Sequence, residues 1–423
     1  MSGIRLHRCL YIMRQLKFPG SLISTFTSGK LLGSYVLGLL FITGILAQKN
    51  VTFSAKLITR VPFSTFAGGI VVVRAQLAGY PDTLNFIMDT GSADVSLDST
   101  TCLRMNIRPV QTDKLISGVG GVRRMSYVNN QSLLLGQIRV DSLHFHVGDY
   151  QLLSSEYGDR IDGIIGNDFY KRYIVKIDYD SNVMYVYSKG DFNYPKGGFT
   201  LKPTFSILPA EWAGIQDIRE VKARFYFDTG AGLCVLLNSD FIGDSAILNP
   251  EKKPFPVQAH GMGGKVMMHV TTIKEFKLGP YRFRNLPAHI FDDVYHITSY
   301  PYHAGLIGND VLRRFNIILN YDKRIFYLTP NSHFNDPFDY SYTGLDLCWV
   351  QGEIRVGDVM TDSPADKAGF RLDDVVISVN EDTSQNLQLY KSMLQNTGDK
   401  VRFVVYRSRT GPTALTIKVK SIL

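Results

Sequence analysis

Cysteine is scarce in this chain, with four among 423 residues. Cys9 lies near the N-terminus, and Cys102, Cys234 and Cys348 form an odd set of widely separated positions. Such a set provides neither a disulfide framework nor the ligand spacing of a metal site. We therefore expect domains that fold without disulfides and that hold no metal and no cofactor.

Acidic residues are missing from the first 50 positions, which contain six Lys or Arg. The net charge of +8 therefore falls to +2 over the remainder, where 40 basic side chains face 38 acidic ones. That remainder has no basic patch interleaved with aromatic residues. Nucleic acid is accordingly not predicted as a partner.

An uncharged apolar run of 17 residues, LLGSYVLGLLFITGILA, follows the basic lead at positions 31–47. A basic lead, an apolar core and a small residue at its end are typical of an export signal. The run also meets the lower length limit for a membrane anchor. Residues 1–50 are predicted to be one or the other, with membrane contact only through 31–47. Because the basic flank stays in the cytoplasm, the rest is expected outside it, in the periplasm of a bacterial envelope.

Long helical patterns are absent beyond residue 50. Short runs rich in Val, Ile, Phe and Tyr alternate with Gly, Pro, Asn and Asp turns, which predicts a mainly β fold. Short helices are predicted at 166–173 and 308–315, each after a Gly-Asn-Asp sequence, and at 386–395.

Three motifs occur twice in the same order. They are Asp-Thr-Gly at 89–91 and 228–230, SGVGG at 117–121 with HGMGG at 260–264, and DGIIGNDFYKRYIVKIDYD at 162–180 with AGLIGNDVLRRFNIILNYD at 304–322. The spacing of each pair is nearly the same, which indicates a duplicated β unit. We predict lobe 1 at 52–190, lobe 2 at 200–333, and a third unit at 341–421 after a Pro/Asn/Asp-rich linker.

The duplicated Asp-Thr-Gly predicts paired carboxylates. If two such turns meet across a pseudo-two-fold axis, Asp89 and Asp228 approach within hydrogen-bonding distance. Two charges that close cannot both ionise cheaply, so the pair holds one proton. One carboxylate can then activate a water while the other protonates a carbonyl oxygen, which is a means to hydrolyse a peptide bond.

The neighbours of the two aspartates fit that chemistry. Gly91 and Gly230 allow the backbone to approach the carboxylates closely. Thr90 and Thr229 can form hydrogen bonds across the axis. Ser92 can donate to Asp89, whereas its counterpart Ala231 cannot, so the two aspartates are expected to be inequivalent. Dyad support is thus assigned to the following residues: Thr90, Gly91, Ser92, Thr229 and Gly230.

These motifs resemble the aspartic proteases. Asp89-Thr90-Gly91-Ser92 with Ile164-Ile165-Gly166, and Asp228-Thr229-Gly230-Ala231 with Leu306-Ile307-Gly308, each match that family's pattern of Asp-Thr-Gly-Ser/Ala followed by apolar-apolar-Gly. The resemblance implies a bilobal acid-protease β-barrel fold with pseudo-two-fold symmetry, in which the apolar-apolar-Gly strand passes behind the Asp turn. It also implies an endopeptidase that acts on polypeptides, here as a monomer.

Neither glycine-rich segment has a tyrosine at its tip, unlike the flap of pepsin-type enzymes. Both resemble the flaps of retroviral proteases, so the chain resembles two retropepsin-like units fused. Flap glycines would let backbone N–H groups reach the substrate. The flap and substrate-binding residues predicted in this way are Gly118, Val119, Gly120, Gly121, Gly261, Met262, Gly263 and Gly264.

Residues 341–421 resemble a PDZ domain, through SPADKAGFRLDDVVISVNE at 363–381 and TGLDL at 343–347. The predicted peptide groove includes Gly344, Leu345, Asp346 and Leu347 and lies between LDLCW and the helix NLQLYKSML. Asp346 replaces the usual second glycine, and its charge would oppose a carboxylate terminus. Peptides or protein C-termini are the partners that the resemblance implies, bound as an added strand.

Two other interpretations stay open at this point. The chain can be a catalytically silent aspartic-protease fold that binds peptides or acts as an adaptor through its cleft and PDZ groove. It can also be a structural envelope protein. The exported aspartic endopeptidase, with a PDZ domain that recruits substrate or regulates access, is the leading hypothesis because both acid motifs are intact.

Overall fold

The computed structural model describes residues 53–261, 263–338 and 343–420. The predicted export or anchor segment at 1–50 lies outside these ranges, as does Met262 of the second flap. None of the helices within them has the length and apolar character needed to cross a bilayer.

Lobe 1 consists of short strands that bury alternating or continuous apolar runs, as β2 does with IVVVRAQL. Its strands are β1 Leu57–Phe66, β2 Ile70–Leu77, β3 Leu84–Met88, β4 Ser96–Asp98, β5 Val110–Gly118, β6 Gly121–Leu135, β7 Ile138–Gly148, β8 Gly163–Ile165, β9 Ile174–Asp178 and β10 Val183–Tyr187. Its short helices are α1 Ser99–Arg104, α2 Gln151–Tyr157 and α3 Asn167–Tyr170, with a 3-10 turn at Ala67–Gly69. Helix α2 ends at Gly158, whose φ of 69° is in the left-handed region that glycine favours.

From β13 onward lobe 2 repeats the order of elements that lobe 1 has from β2, except that its described residues have no counterpart of helix α2. Its strands are β11 Phe199–Leu201, β12 Thr204–Phe205, β13 Pro209–Gln216, β14 Glu220–Phe227, β15 Val235–Asn238, β16 Phe255–Gly261, β17 Gly264–Leu278, β18 Tyr281–Phe291, β19 Gly305–Ile307, β20 Phe315–Asn320 and β21 Ile325–Pro330. Its helices are α4 Ser239–Ser245 and α5 Asn309–Leu312. Helices α3 and α5 form at the two predicted places, each beginning at the Asn of Gly-Asn-Asp, but they span four residues each. They are short because the apolar residues that follow enter strands β9 and β20.

The two lobes close as barrels and share a central sheet. Extra pairings of β2 with β6 and of β13 with β17 close the barrels. Strands β11, β21, β20, β9, β10 and β1 lie side by side in that order, and β9 pairs with β20 across the lobe boundary. This pairing joins the two halves into one mainly β body with a continuous apolar core.

The third unit is a five-stranded sheet with two short helices. Its strands are β22 Leu345–Val350, β23 Glu353–Val359, β24 Val375–Val379, β25 Lys400–Arg407 and β26 Gly411–Lys418, and its helices are α6 Pro364–Ala368 and α7 Leu387–Ser392. The strands follow one another in sequence order, which leaves β22 at an edge. Helix α7 begins where the Asn386 side chain caps it, accepting from the Leu389 N–H at 3.0 Å. This unit has an apolar core of its own.

Candidate active site

Each Asp-Thr-Gly follows the last residue of a buried strand. Strand β3 runs parallel to β8 with Ile87 opposite Ile164, and β14 runs parallel to β19 with Tyr226 opposite Leu306. The Asp89 N–H donates to Ile165 O at 3.0 Å, and Asp228 makes the same bond to Ile307 O at 3.0 Å. The apolar-apolar-Gly strand therefore holds each aspartate turn from behind, as the resemblance implied.

The two threonines interlock the turns across the pseudo-two-fold axis. The Thr90 hydroxyl donates to Phe227 O at 2.6 Å, and the Thr229 hydroxyl donates to Met88 O at 2.9 Å. Each hydroxyl also accepts the backbone N–H of the opposite threonine at 3.1 Å. Both threonines are fully buried. Four hydrogen bonds in a water-free position fix the separation of the two aspartates.

The glycines bring each turn against the opposite carboxylate. A methyl group on Gly91 would overlap the Asp228 carboxylate, and one on Gly230 would overlap that of Asp89. Within each turn the glycine N–H donates to its own aspartate, at 2.6 Å for Gly91 and 2.8 Å for Gly230. Glycine is required at both positions because only it permits this approach.

The two carboxyl groups are half-buried and lie within hydrogen-bonding reach of each other. Burial raises the pKa of Asp89 well above its ordinary value, and the charge and hydrogen bond of Asp228 raise it further. Burial also raises the pKa of Asp228, while N–H groups of Gly230 and Ala231 and the bond from Asp89 oppose that rise. Because both pKa values are raised and the two groups interact, the pair holds one proton between them.

The expected hydrogen bond from the Ser92 hydroxyl to Asp89 is replaced by another. The Ser92 hydroxyl donates to Asp94 O at 3.0 Å, and the backbone N–H of Ser92 faces the Asp89 carboxylate instead. The Ala231 N–H serves Asp228 in the same way. The inequivalence of the aspartates thus does not arise from the Ser92 hydroxyl, because backbone donors serve both turns.

Two asparagines and two tyrosines of the repeated sequences at 162–180 and 304–322 form hydrogen bonds between the lobes. The Tyr321 hydroxyl donates to Asn167 Oδ1 at 2.8 Å, and the Tyr179 hydroxyl donates to Asn309 Oδ1 at 3.0 Å. Each bond joins the Gly-Asn-Asp of one lobe to the Tyr-Asp of the other. Sequence reasoning saw these residues only as parts of a repeat. Their equal Asn-to-Tyr spacing in both copies was the signal for a paired role.

The two glycine-rich hairpins meet at their tips. Flap 1 is the turn between β5 and β6, and flap 2 is the turn between β16 and β17. The Gly263 N–H donates to Val119 O at 2.8 Å. A methyl group on Gly263 would overlap the backbone of Gly120 and Gly121, and one on Gly261 would overlap Val119. The predicted flap residues among the described ones therefore meet tip to tip, in a closed arrangement.

The threonine interlock predicts a stability effect that can be measured directly. Changing Thr90 to Val keeps the shape but leaves Phe227 O and the Thr229 N–H buried without their partner. We expect unfolding to require less urea, with a loss of about 2–4 kcal/mol. Thr83→Val, an exposed threonine of lobe 1, serves as the control and should leave the urea midpoint unchanged. An unaltered midpoint for Thr90→Val would contradict the role of the interlock.

Comparison with family models agrees with this geometry. The aspartyl protease model matches the chain twice, over residues 73–169 and 213–311, and the PDZ domain model matches residues 355–407. No curated protein matches the chain. The chain is a tandem of two retropepsin-like aspartyl protease units followed by a C-terminal PDZ domain.

The predicted PDZ groove residues lie where β22 begins. Gly344 has a φ of 69° and packs against Ser363, where a methyl group would overlap that side chain. Leu347 is buried in the PDZ core. The Asp346 carboxylate lies 4.0 Å from the Lys391 ammonium group of α7. The segment therefore lies at the sheet edge beside α7, and the peptide groove between β22 and α7 stays a prediction.

Strand β22 and helix α7 contact the C-terminal end of helix α2 from lobe 1. Three side-chain hydrogen bonds join the two parts: Ser155 Oγ to Trp349 O at 2.7 Å, Gln388 Nε2 to Tyr157 O at 2.8 Å, and Lys391 Nζ to Glu156 O at 2.9 Å. The Leu387 side chain packs on Gly158, and the Ala67 N–H donates to Gln388 Oε1 at 2.9 Å. An added peptide strand would need the same edge of β22. No sequence motif indicated this contact.

Proposed function

We propose that this protein is an aspartic endopeptidase that hydrolyses peptide bonds with a water activated by Asp89 and Asp228. The observation that carries the proposal is the pair of half-buried, interacting carboxyl groups held by the threonine interlock. Such a pair retains one proton, which supplies both a base and an acid at one point. Polypeptides are the substrate class that the cleft and flaps fit.

In the proposed mechanism, the ionised member of the pair takes a proton from a water placed between the two aspartates. The water attacks the carbonyl carbon of the peptide bond while the protonated member donates its proton to the carbonyl oxygen. The tetrahedral diol then collapses as a proton passes to the amide nitrogen, and the C–N bond breaks. Because the nucleophile is water and not an enzyme side chain, no covalent acyl-enzyme intermediate forms.

The flaps complete this mechanism. Their tips meet, and they are rich in glycine, so backbone N–H groups are available to the substrate. Because the tips contact each other through backbone atoms, a substrate must part them to enter. Binding then re-closes them and excludes water from the reacting atoms.

We propose that the PDZ domain regulates access to the cleft rather than only recruiting substrate. The contact that supports this is the docking of α2 against β22 and α7. The buried ring of Tyr157 stacks on Phe66, with 5.3 Å between ring centroids. It also belongs to an apolar cluster with Ile87 of β3, the strand that ends before Asp89, and Ile164 of the neighbouring strand β8. The docked PDZ domain therefore contacts a helix that packs on strands β3 and β8, which hold Asp89.

Release of the PDZ domain is expected to increase cleavage. Changing Gln388 and Lys391 to Ala removes their bonds to residues 67, 156 and 157 without touching the dyad. We expect kcat/KM for a peptide to rise about 3- to 10-fold, since each bond contributes about 1 kcal/mol to docking. Gln395→Ala with Lys400→Ala, at exposed positions of the same domain, is the matched control. Unchanged or lower cleavage in the first variant would contradict regulation by docking.

Export through residues 1–50 remains part of the proposal and rests on their basic and apolar pattern. We propose a location outside the cytoplasm and a monomeric enzyme, since one chain carries both aspartates. Fractionation of cells that express the full chain would test the first point. Recovery of the protein only in the cytoplasm would contradict it.

The test of the activity is cleavage of a diverse peptide pool between pH 3 and pH 7, with and without a statine-type inhibitor that mimics the tetrahedral diol. We expect inhibitor-sensitive cleavage that is strongest at mildly acidic pH. The pair is active only while it holds one proton. Because the pKa of Asp89 is raised, the singly protonated pair persists to a higher pH than an ordinary aspartate would retain its proton. A folded protein that binds the inhibitor yet cleaves nothing would be a peptide-binding module instead.

A further inference from the structure

A cavity of about 240 Å³ lies beneath flap 1. Gly118 and Gly121 of flap 1 and Gly263 of flap 2 form part of its lining. His146 of β7 and Arg123 of β6 contribute polar side chains to this lining. The cavity thus adjoins the position where the flaps cover a substrate.

Strand register places this cavity on the same face of lobe 1 as the dyad. Ile87, two residues before Asp89, pairs with Ile164, which pairs with Ser96, which pairs with His146. Directly paired residues of neighbouring strands project to one face of a sheet. A single row of side chains therefore leads from the strand that carries the catalytic aspartate to His146.

His146 is buried without a hydrogen-bond partner. Its side chain belongs to a residue that is 3% exposed, and both ring nitrogens have no partner among the described residues. A buried polar group without a partner is rare in native structures and calls for an explanation. The corresponding position of lobe 2 is His289, which pairs with Leu236 as His146 pairs with Ser96, and its Nδ1 is likewise buried without a partner among the described residues. The duplication therefore carries a histidine with a buried ring nitrogen in both lobes, and lobe 1 differs by Arg123, whose counterpart in lobe 2 is Val266.

The charges around the cavity favour a ligand that accepts hydrogen bonds. Arg123 is held only loosely, 4.0 Å from the Asp149 carboxylate and 3.4 Å from Gly263 O. Asp149 accepts the Gln151 N–H with Oδ1 at 3.1 Å, and its Oδ2 is the oxygen that faces Arg123. Arg124 adds a second positive charge to the lining and lies 3.8 Å from the exposed carboxylate of Asp113. Donors and positive charge thus exceed acceptors at this position.

We propose that this cavity is a subsite for an acidic substrate side chain, with His146 and Arg123 as its specificity-determining residues. The proposal rests on the proposed peptidase function and names its preferred substrates: peptides with Glu or Asp at one position near the cleaved bond. The carboxylate accepts from a His146 ring N–H and from the Arg123 guanidinium, which is a charge-assisted pair of bonds. The ligand supplies the partner that His146 lacks.

The experiment uses the full chain and a peptide series built on one cleaved sequence, with Glu, Gln or Leu at each position in turn. We expect one position at which Glu exceeds Leu in kcat/KM by at least roughly tenfold, because a carboxylate there satisfies groups that Leu leaves unpaired. His146→Leu and Arg123→Met should each reduce that ratio several-fold. His144→Leu, an exposed histidine two residues away on β7, is the matched control and should keep the ratio.

The outcomes separate this proposal from the peptidase function. Cleavage with no preference for Glu at any position, or a preference that His146→Leu leaves intact, overturns the subsite alone. If His146→Leu fails to fold, Arg123→Met decides by the same ratio. If no peptide is cleaved, the peptidase function fails, and calorimetric binding of the Glu and Leu peptides still tests the subsite: equal affinity overturns it.

Discussion

Asp89→Asn is expected to reduce peptide cleavage by at least about 10³-fold. The amide cannot supply the shared proton in the same way, and the pair then lacks either its acid or its base. General acid–base catalysis by such a group contributes roughly 10²–10⁴-fold, and here one change disables both functions. The measurement is kcat/KM at the pH optimum. Asp113→Asn, at a fully exposed carboxylate of strand β5, is the control and should retain full activity.

The same variant should fold, which distinguishes a chemical loss from a structural one. The pKa of Asp89 is raised in the folded state, so the native protein binds more protons than the unfolded chain above the ordinary Asp pKa. The free energy of unfolding of the native chain therefore decreases as pH rises from the ordinary Asp pKa to the raised one. Asn cannot ionise, so the variant does not lose this stability. We expect the variant's Tm to exceed the native Tm by about 2–4 °C at pH 7 and to match it near pH 3. Full activity in this variant would refute the dyad mechanism.

Gly263→Ala is expected to lower cleavage by about 100-fold with little loss of stability. Its methyl group would overlap the backbone of Gly120 and Gly121, which belong to the opposite flap and have no flexible side chain that can yield. The flaps then cannot close over substrate, and a misplacement of this kind can cost about 10²-fold in rate. Peptide cleavage and thermal unfolding measured together separate the two effects.

Gly243→Ala is the matched control for that experiment. Gly243 lies in helix α4 of the same lobe, and a methyl group there meets open space. It should leave cleavage unchanged and keep or slightly raise Tm, because Ala is the better helix former. Cleavage by Gly263→Ala at the native rate would mean that the flaps work without the observed tip contact, and the closed arrangement would then have no catalytic role.

Local sequence determines where the aspartates lie. Each Asp-Thr-Gly follows a buried apolar run, and Gly, Asp and Thr favour the tight turn that ends a strand. Because the second copy repeats these residues with the apolar-apolar-Gly at nearly the same distance, two similar turns follow without knowledge of the tertiary fold. The flap hairpins were predictable for the same reason, since two glycine-rich tips recur between β runs.

The hydroxyl of Ser92 shows where local reasoning ends. It can reach either Asp89 or Asp94 O, and the sequence is the same in both cases. The backbone conformation of residues 92–94 decides. That conformation is fixed by Gly166, which directly follows strand β8 and packs against Ser92 and Asp94. A choice between two acceptors at similar cost cannot be made from residue types alone.

The sequence by itself determined that this protein has a duplicated β unit, paired Asp-Thr-Gly turns, two glycine-rich flaps and a PDZ-like third unit. These are periodic or repeated features, carried by residues close together in the chain. Only the tertiary structure decided that helix α2 contacts β22 and α7 of the PDZ domain and that His146 lies without a partner beneath flap 1. Both depend on surfaces formed by residues far apart in sequence, and contacts between such surfaces leave no repeat or period to read.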